Sequence, residues 1–162
     1  MSGLRHLPAE FQRGMERHQR IDLFTDTHPV VQRSMQRFAA PHRRFAGILV
    51  DIYYDHFLAR RWHEFCKVPL PEFVDRFFEG FDYHRAELPA EACARLEQIR
   101  RAGWLCVYGE HAGLTDVLQR LGRRLRRPCD LASSMTTFEA CYEDFRKDFA
   151  EFFPQLRASV GG

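Results

Sequence analysis

The chain has 162 residues, 45% of them hydrophobic and 14% aromatic with 15 Phe, so one folded core is expected and intrinsic disorder is excluded. Charge is balanced, 24 Lys+Arg against 22 Asp+Glu for a net +2, which gives no global signal of a nucleic-acid or polyanion binder. Five cysteines at 66, 93, 106, 129 and 141 form no CxxC pair and are odd in number, which fits a reducing cytoplasm better than a disulfide framework.

No apolar run is long enough to span a membrane, and the opening Met1-Ser2-Gly3-Leu4-Arg5-His6 lacks the apolar core of a signal peptide. Helical punctuation then dominates. Leu7 to about Phe24 reads as one helix with Pro8 in its first turn. Thr27 offers an N-cap and Pro29 a first turn for a short helix to about Ala39. A third helix runs from about Arg43 to Trp62. After the break Val68-Pro69-Leu70-Pro71, a Phe-rich helix extends to about Ala86. Pro89 opens a fifth that ends near Gly103, and His111 to Arg126 forms a sixth, stopped by Pro128. Ser133 or Ser134 starts the last, where Phe138, Tyr142, Phe145, Phe149 and Phe152 recur at helical spacing and Pro154 is expected to kink or end it. Period-two alternation is nowhere sustained, so the expectation is an all-α, single-domain bundle of six or seven helices.

Polar residues that interrupt apolar stripes are the chemical signal. In the first helix Phe11, Met15, His18 and Asp22 share one face. In the third, Ile48, Ile52, Asp55, Ala59 and Trp62 share another, with Asp51 one turn before Asp55 and His56 on the flank. A buried ionised carboxylate needs a cation, a metal or a hydrogen-bond network. Two helices that each bring ligand-type residues one turn apart can build a metal cage, as di-metal carboxylate bundles do. His18, Asp22, Asp51, Asp55 and His56 are therefore candidate ligands, and the excess of carboxylate favours a hard ion such as Mn²⁺ or Mg²⁺, with Fe²⁺ also suited. The alternative is structural, with these acids capping helices or pairing with Arg17, Arg20, Arg60 or Arg61. Asp26 and His28 lie in the turn before Pro29, where Asp26 either caps the second helix, closes an Asx turn or reaches the same pocket. His42, His63, His84 and His111 show no ligand spacing and are expected at the surface or at caps.

Two runs carry a resemblance. His18-Gln19-Arg20-Ile21-Asp22-Leu23-Phe24-Thr25-Asp26-Thr27-His28-Pro29 and Asp51-Ile52-Tyr53-Tyr54-Asp55-His56-Phe57-Leu58-Ala59-Arg60-Arg61-Trp62 resemble the acyl carrier protein phosphodiesterase family, in its order and spacing. A third block, from Gly103-Trp104-Leu105 through Gly113-Leu114 to Arg123-Arg124, continues the likeness along nearly the whole chain. Gln19 stands where the family often has Arg, and the family's further N-terminal segment has no counterpart ahead of the matching Leu-Pro. The resemblance thus implies one N-terminally short domain over 1–162.

That family is all-helical and HD-like. The resemblance implies release of 4′-phosphopantetheine from holo acyl carrier protein with a divalent ion, typically Mn²⁺. It places His18, Asp22 and Asp26 in the first motif and Asp51, Asp55 and His56 in the second. Asp22, Asp26 and Asp55 are the expected catalytic acids. Arg20 and Arg60 are candidates for the phosphate, and Arg43, Arg44, Arg60 and Arg61 for an acidic carrier partner. The run Arg120, Arg123, Arg124, Arg126 and Arg127 is either a second docking surface or a solvated helix end. No interleaved aromatics favour nucleic acid there. Two alternatives stand beside this reading: a carrier-binding relative without turnover, and an HD-type phosphohydrolase acting on a nucleotide.

Overall fold

The computed structural model describes residues 9–160, leaving aside the side chains of residues 9–12 and 15. The expected first turn at Leu7 and Pro8, and the side chains of Phe11 and Met15, lie outside the described residues. Within them every regular element is helical: α1 (Ala9–Thr27), α2 (Pro29–Met35), α3 (Ala46–Arg60), α4 (Trp62–Phe65), α5 (Leu70–His84), α6 (Ala90–Arg101), α7 (Trp104–Tyr108), α8 (His111–Arg124), α9 (Met135–Ala140) and α10 (Tyr142–Val160). Short 3₁₀ turns stand at His42–Phe45, Arg85–Glu87 and Ala132–Ser134.

The seven expected helices are all present, and the short α4, α7 and α9 arise where the chain turns. Arg61 leaves helical dihedrals between α3 and α4, and Cys141 does so between α9 and α10. Gly103, at φ +77°, makes the left-handed turn from α6 into α7, where a side chain would strike Val107. Pro154 does not end the last helix, because α10 runs through it to Val160. The second helix stops at Met35, short of Ala39. Its N-cap is His28, whose Nδ1 accepts the Val30 N–H at 3.3 Å, while the Thr27 hydroxyl turns back to donate to the Leu23 carbonyl.

α3 is the central helix, packed against α2, α7, α8 and α10. Leu49, Val50, Ile52, Tyr53, Tyr54, His56 and Phe57 are all buried, so most of its circumference is core and a narrow sector remains open. Phe138 stacks on Tyr53 with ring centroids 4.0 Å apart, and Phe145, Phe149 and Phe152 of α10 close the other side. Burying each such ring is worth roughly 1.5–3 kcal/mol.

α1 packs on α2 and α10 through Ile21, Phe24 and Thr25, with His28 following at the same spacing. The expected inward stripe is turned the other way, since His18 is 75% and Asp22 58% exposed. Arg17 and Arg20 donate to the last carbonyls of α10, at Val160 and Ser159, both at 2.8 Å. Positive charge at those unsatisfied carbonyls favours the close approach of the two helices.

Candidate active site

The open sector of α3 carries Asp51 and Asp55, one turn apart. Asp51 is exposed and Asp55 is half-buried. Neither forms an ion pair or a side-chain hydrogen bond among the described residues. Burial raises the Asp55 pKa to about 7, with the charge on Asp51 adding to it. Asp51 is raised to about 6, first by burial and then by repulsion from Asp26 and Asp22 on α1. Asp51 thus stands between the charge of Asp55 on its own helix and those of Asp22 and Asp26 on α1.

The remaining expected ligands behave differently. His18 Nδ1 lies 2.9 Å from the Asp22 carboxylate in an exposed pair on α1. Asp26 is exposed and does not cap α2, whose N-cap is His28; its backbone carbonyl accepts from the Gln32 side chain. His56 is fully buried and points into the core, away from the carboxylates. Its Nδ1 lies 2.7 Å from the Tyr108 carbonyl, which can only accept, so Nδ1 carries the hydrogen. Nε2 is then left to accept the Tyr142 hydroxyl at 3.1 Å. The lone pair a metal would need is taken, and burial lowers the pKa of this neutral imidazole. Position 56 follows Asp55 by about 100° around the helix, which turns it from the open sector into the core.

Arg20 is committed to the Ser159 carbonyl and does not face the acids. Arg61 is held by Glu64 through two hydrogen bonds, at 2.9 and 2.6 Å. Arg60, five residues beyond Asp55, is exposed and has no ion pair among the described residues. Tyr108 is a neighbour that spacing alone did not single out: burial raises its pKa, and the Asp55 charge adds to the shift.

A groove of about 980 Å³ adjoins this sector, with Ile48 and Ile52 from α3, Trp104 and Tyr108 from α7, and Leu121 and Arg124 from α8 among its walls. Gly113 allows α8 to lie on the backbone of α7, since a side chain there would collide with the Val107 carbonyl. No three His, Cys, Asp or Glu among the described residues are gathered closely enough to hold an ion by themselves. The donor chemistry nonetheless suits a hard cation: Asp51 and Asp55 are oxygen donors with no ion pair among the described residues.

The acyl carrier protein phosphodiesterase family model matches residues 1–156. The chain belongs to that family. Relatives named acyl carrier protein phosphodiesterase include one from Photorhabdus laumondii, 32% identical over 149 residues, covering 91% of this chain and 75% of the relative. Another, from Yersinia pestis, is 31% identical, covering 92% and 78%, and one from Escherichia coli is 29% identical, covering 94% and 80%. No solved structure gives a significant match. The family is one of phosphodiester hydrolases. No helix among the described residues is long and apolar enough to cross a membrane.

Proposed function

We propose that this protein hydrolyses the phosphodiester between 4′-phosphopantetheine and the serine of holo acyl carrier protein, leaving the apo protein, with a divalent ion, Mn²⁺ by preference, held at Asp51 and Asp55. The observation that carries this reading is that pair: two carboxylates one turn apart, one exposed and one half-buried, with no ion pair among the described residues. Asp22 and Asp26 complete the acidic face from α1. When bound, such an ion supplies Lewis acidity towards phosphoryl oxygen. The chain's own groups do the rest. Asp26 accepts the proton of the attacking water. Arg60 holds a non-bridging oxygen through its planar guanidinium. Five free cysteines support the cytoplasm as the place of action.

A second reading, a carrier-binding protein without turnover, is favoured by the absence of a complete three-ligand cluster among the described residues. Mass spectrometry of holo acyl carrier protein incubated with the protein and Mn²⁺ separates the two. Loss of the phosphopantetheine mass, abolished by Asp55→Ala, is the expected result. An unchanged carrier mass with every divalent ion sinks the hydrolytic reading. In a parallel thermal melt Mn²⁺ should raise the wild-type Tm, by the equivalent of about 2.7 kcal/mol at a hundredfold excess over Kd, and leave Asp51→Asn unmoved.

A further inference from the structure

Phe45 precedes α3, and Phe45, Ile48, Ile52 and Asp55 follow at three- and four-residue spacing along one helix face. Asp55 belongs to the carboxylate pair. Phe45 instead lines a separate pocket of about 600 Å³, whose other walls are Arg44, Leu125, Arg126 and Arg127. The turn before α3 and the segment leaving α8, far apart in sequence, therefore meet in one basic concavity.

No carboxylate lines that pocket. None of its three guanidiniums is in an ion pair among the described residues, and Arg44 lies over the Phe45 ring at 4.6 Å. Several other surface arginines are neutralised, Arg61, Arg76, Arg85, Arg100, Arg120 and Arg146 each pairing with an acid. Here the positive charge is left unspent on the protein itself, and Phe45 and Leu125 give it an apolar floor. A lone phosphate would use the guanidiniums and waste the floor. A nucleic acid would need an open stacking face, and the Phe45 ring is half-buried with Arg44 across it. An acidic helix carrying an apolar side chain satisfies both parts of the surface.

We propose that Arg44, Arg126 and Arg127, around Phe45 and Leu125, form the docking site for the acidic surface of the carrier protein. This rests on the reading that a carrier protein is the substrate. At 1.5 Å per residue, Phe45 lies about 15 Å along α3 from Asp55. A serine-linked phosphodiester sits at the partner's own surface, so a partner seated in this pocket needs to extend only that far to bring it over the carboxylates. Arg61, bound to Glu64, takes no part, and Arg43 does not line the pocket.

Fluorescence anisotropy with fluorescein-labelled holo acyl carrier protein tests the site. The double variant Arg126→Glu/Arg127→Glu should weaken Kd by about tenfold or more at low salt, with the difference shrinking at high salt. The double variant Arg76→Glu/Arg146→Glu changes net charge equally and should alter Kd by less than about twofold. Equal losses in the two variants, unchanged binding by the first, or wild-type protein that binds single-stranded DNA and not the carrier would each overturn the proposal. Binding through the pocket without release of the phosphopantetheine arm leaves the docking site standing and removes only the hydrolytic reading.

Discussion

Two carboxylates interrupt apolar helix faces in this fold, Asp148 on α10 and Asp55 on α3, and their surroundings treat them in opposite ways. Asp148 is 2% exposed and fully partnered. Its Oδ1 accepts from Nε and Nη2 of Arg33, and its Oδ2 from the Ser34 hydroxyl and from Nη1 of Arg37. Ser34 in turn lies 2.9 Å from the Tyr54 hydroxyl, so the network reaches the central helix. Burial alone would raise the Asp148 pKa, but those hydrogen bonds outweigh it and hold the pKa below the usual aspartate value. Asp55 has no such partners among the described residues, and burial with the nearby Asp51 charge pushes it up to about 7. One acid fastens α2 to α10. The other is kept at an energetic disadvantage, the pattern expected where a ligand or a reaction uses the group.

The largest effect should come from breaking the satisfied site. Asp148→Ala leaves the Arg37 guanidinium without its carboxylate, takes an acceptor from the Ser34 hydroxyl and leaves Arg33 with Glu151 alone, and a loss of about 3–5 kcal/mol is expected in urea unfolding. Asp55→Asn should go the other way, leaving metal-free protein at pH 8 as stable as wild type or more so. If Asp55→Asn also destabilised strongly, the contrast between the two acids would collapse.

pH sharpens the same contrast. A carboxyl raised to about 7 in the fold and near 4 in the unfolded chain binds more protons in the native state between those values. Its charged form therefore costs stability above about pH 7, and that cost fades as pH falls towards 4. The advantage of Asp55→Asn over wild type should be largest at pH 8 and smaller at pH 5, measured by melts in chelator. Asp148, with its pKa lowered, has the reverse sign: its stabilisation is present above about pH 4 and is lost as pH falls through its native pKa. An advantage of Asp55→Asn that grew on acidification would contradict this assignment.

The smallest expected effect is at the exposed His18–Asp22 pair. Asp22→Asn should change stability by no more than about 0.5 kcal/mol, because a solvated pair one turn apart on a helix contributes little. Its informative readout is the Mn²⁺-induced rise in Tm. A smaller rise than in wild type would place Asp22 with Asp51 and Asp55 at the ion, and an unchanged rise would confine the site to α3.

The spacing rule that picked out Asp55 also applies to Asp148, which shares its stripe with Phe145, Phe149 and Phe152, so that buried acid was legible in the sequence. Its partners were not, because Arg33 comes from α2 and Arg37 from the turn just after it, more than a hundred residues away. The same rule pointed the wrong way on α1. Periodicity says that His18 and Asp22 share a face, but the neighbours α2 and α10 decide that Ile21, Phe24 and Thr25 form the buried one. His56 was a sound ligand by type and position, and only the Tyr108 carbonyl and Tyr142 hydroxyl reveal that both its nitrogens are used.

The amino-acid sequence by itself determined the helical class, the seven long segments, the family and the Asp51–Asp55 pair, because each is written in local spacing or in contiguous motifs. Tertiary structure alone decided which acids are satisfied and which are left open, and it alone joined Arg44 to Arg126 and Arg127 in one pocket. Those outcomes depend on which distant side chain arrives at a given face, and a helical period of 3.6 residues carries no information about that.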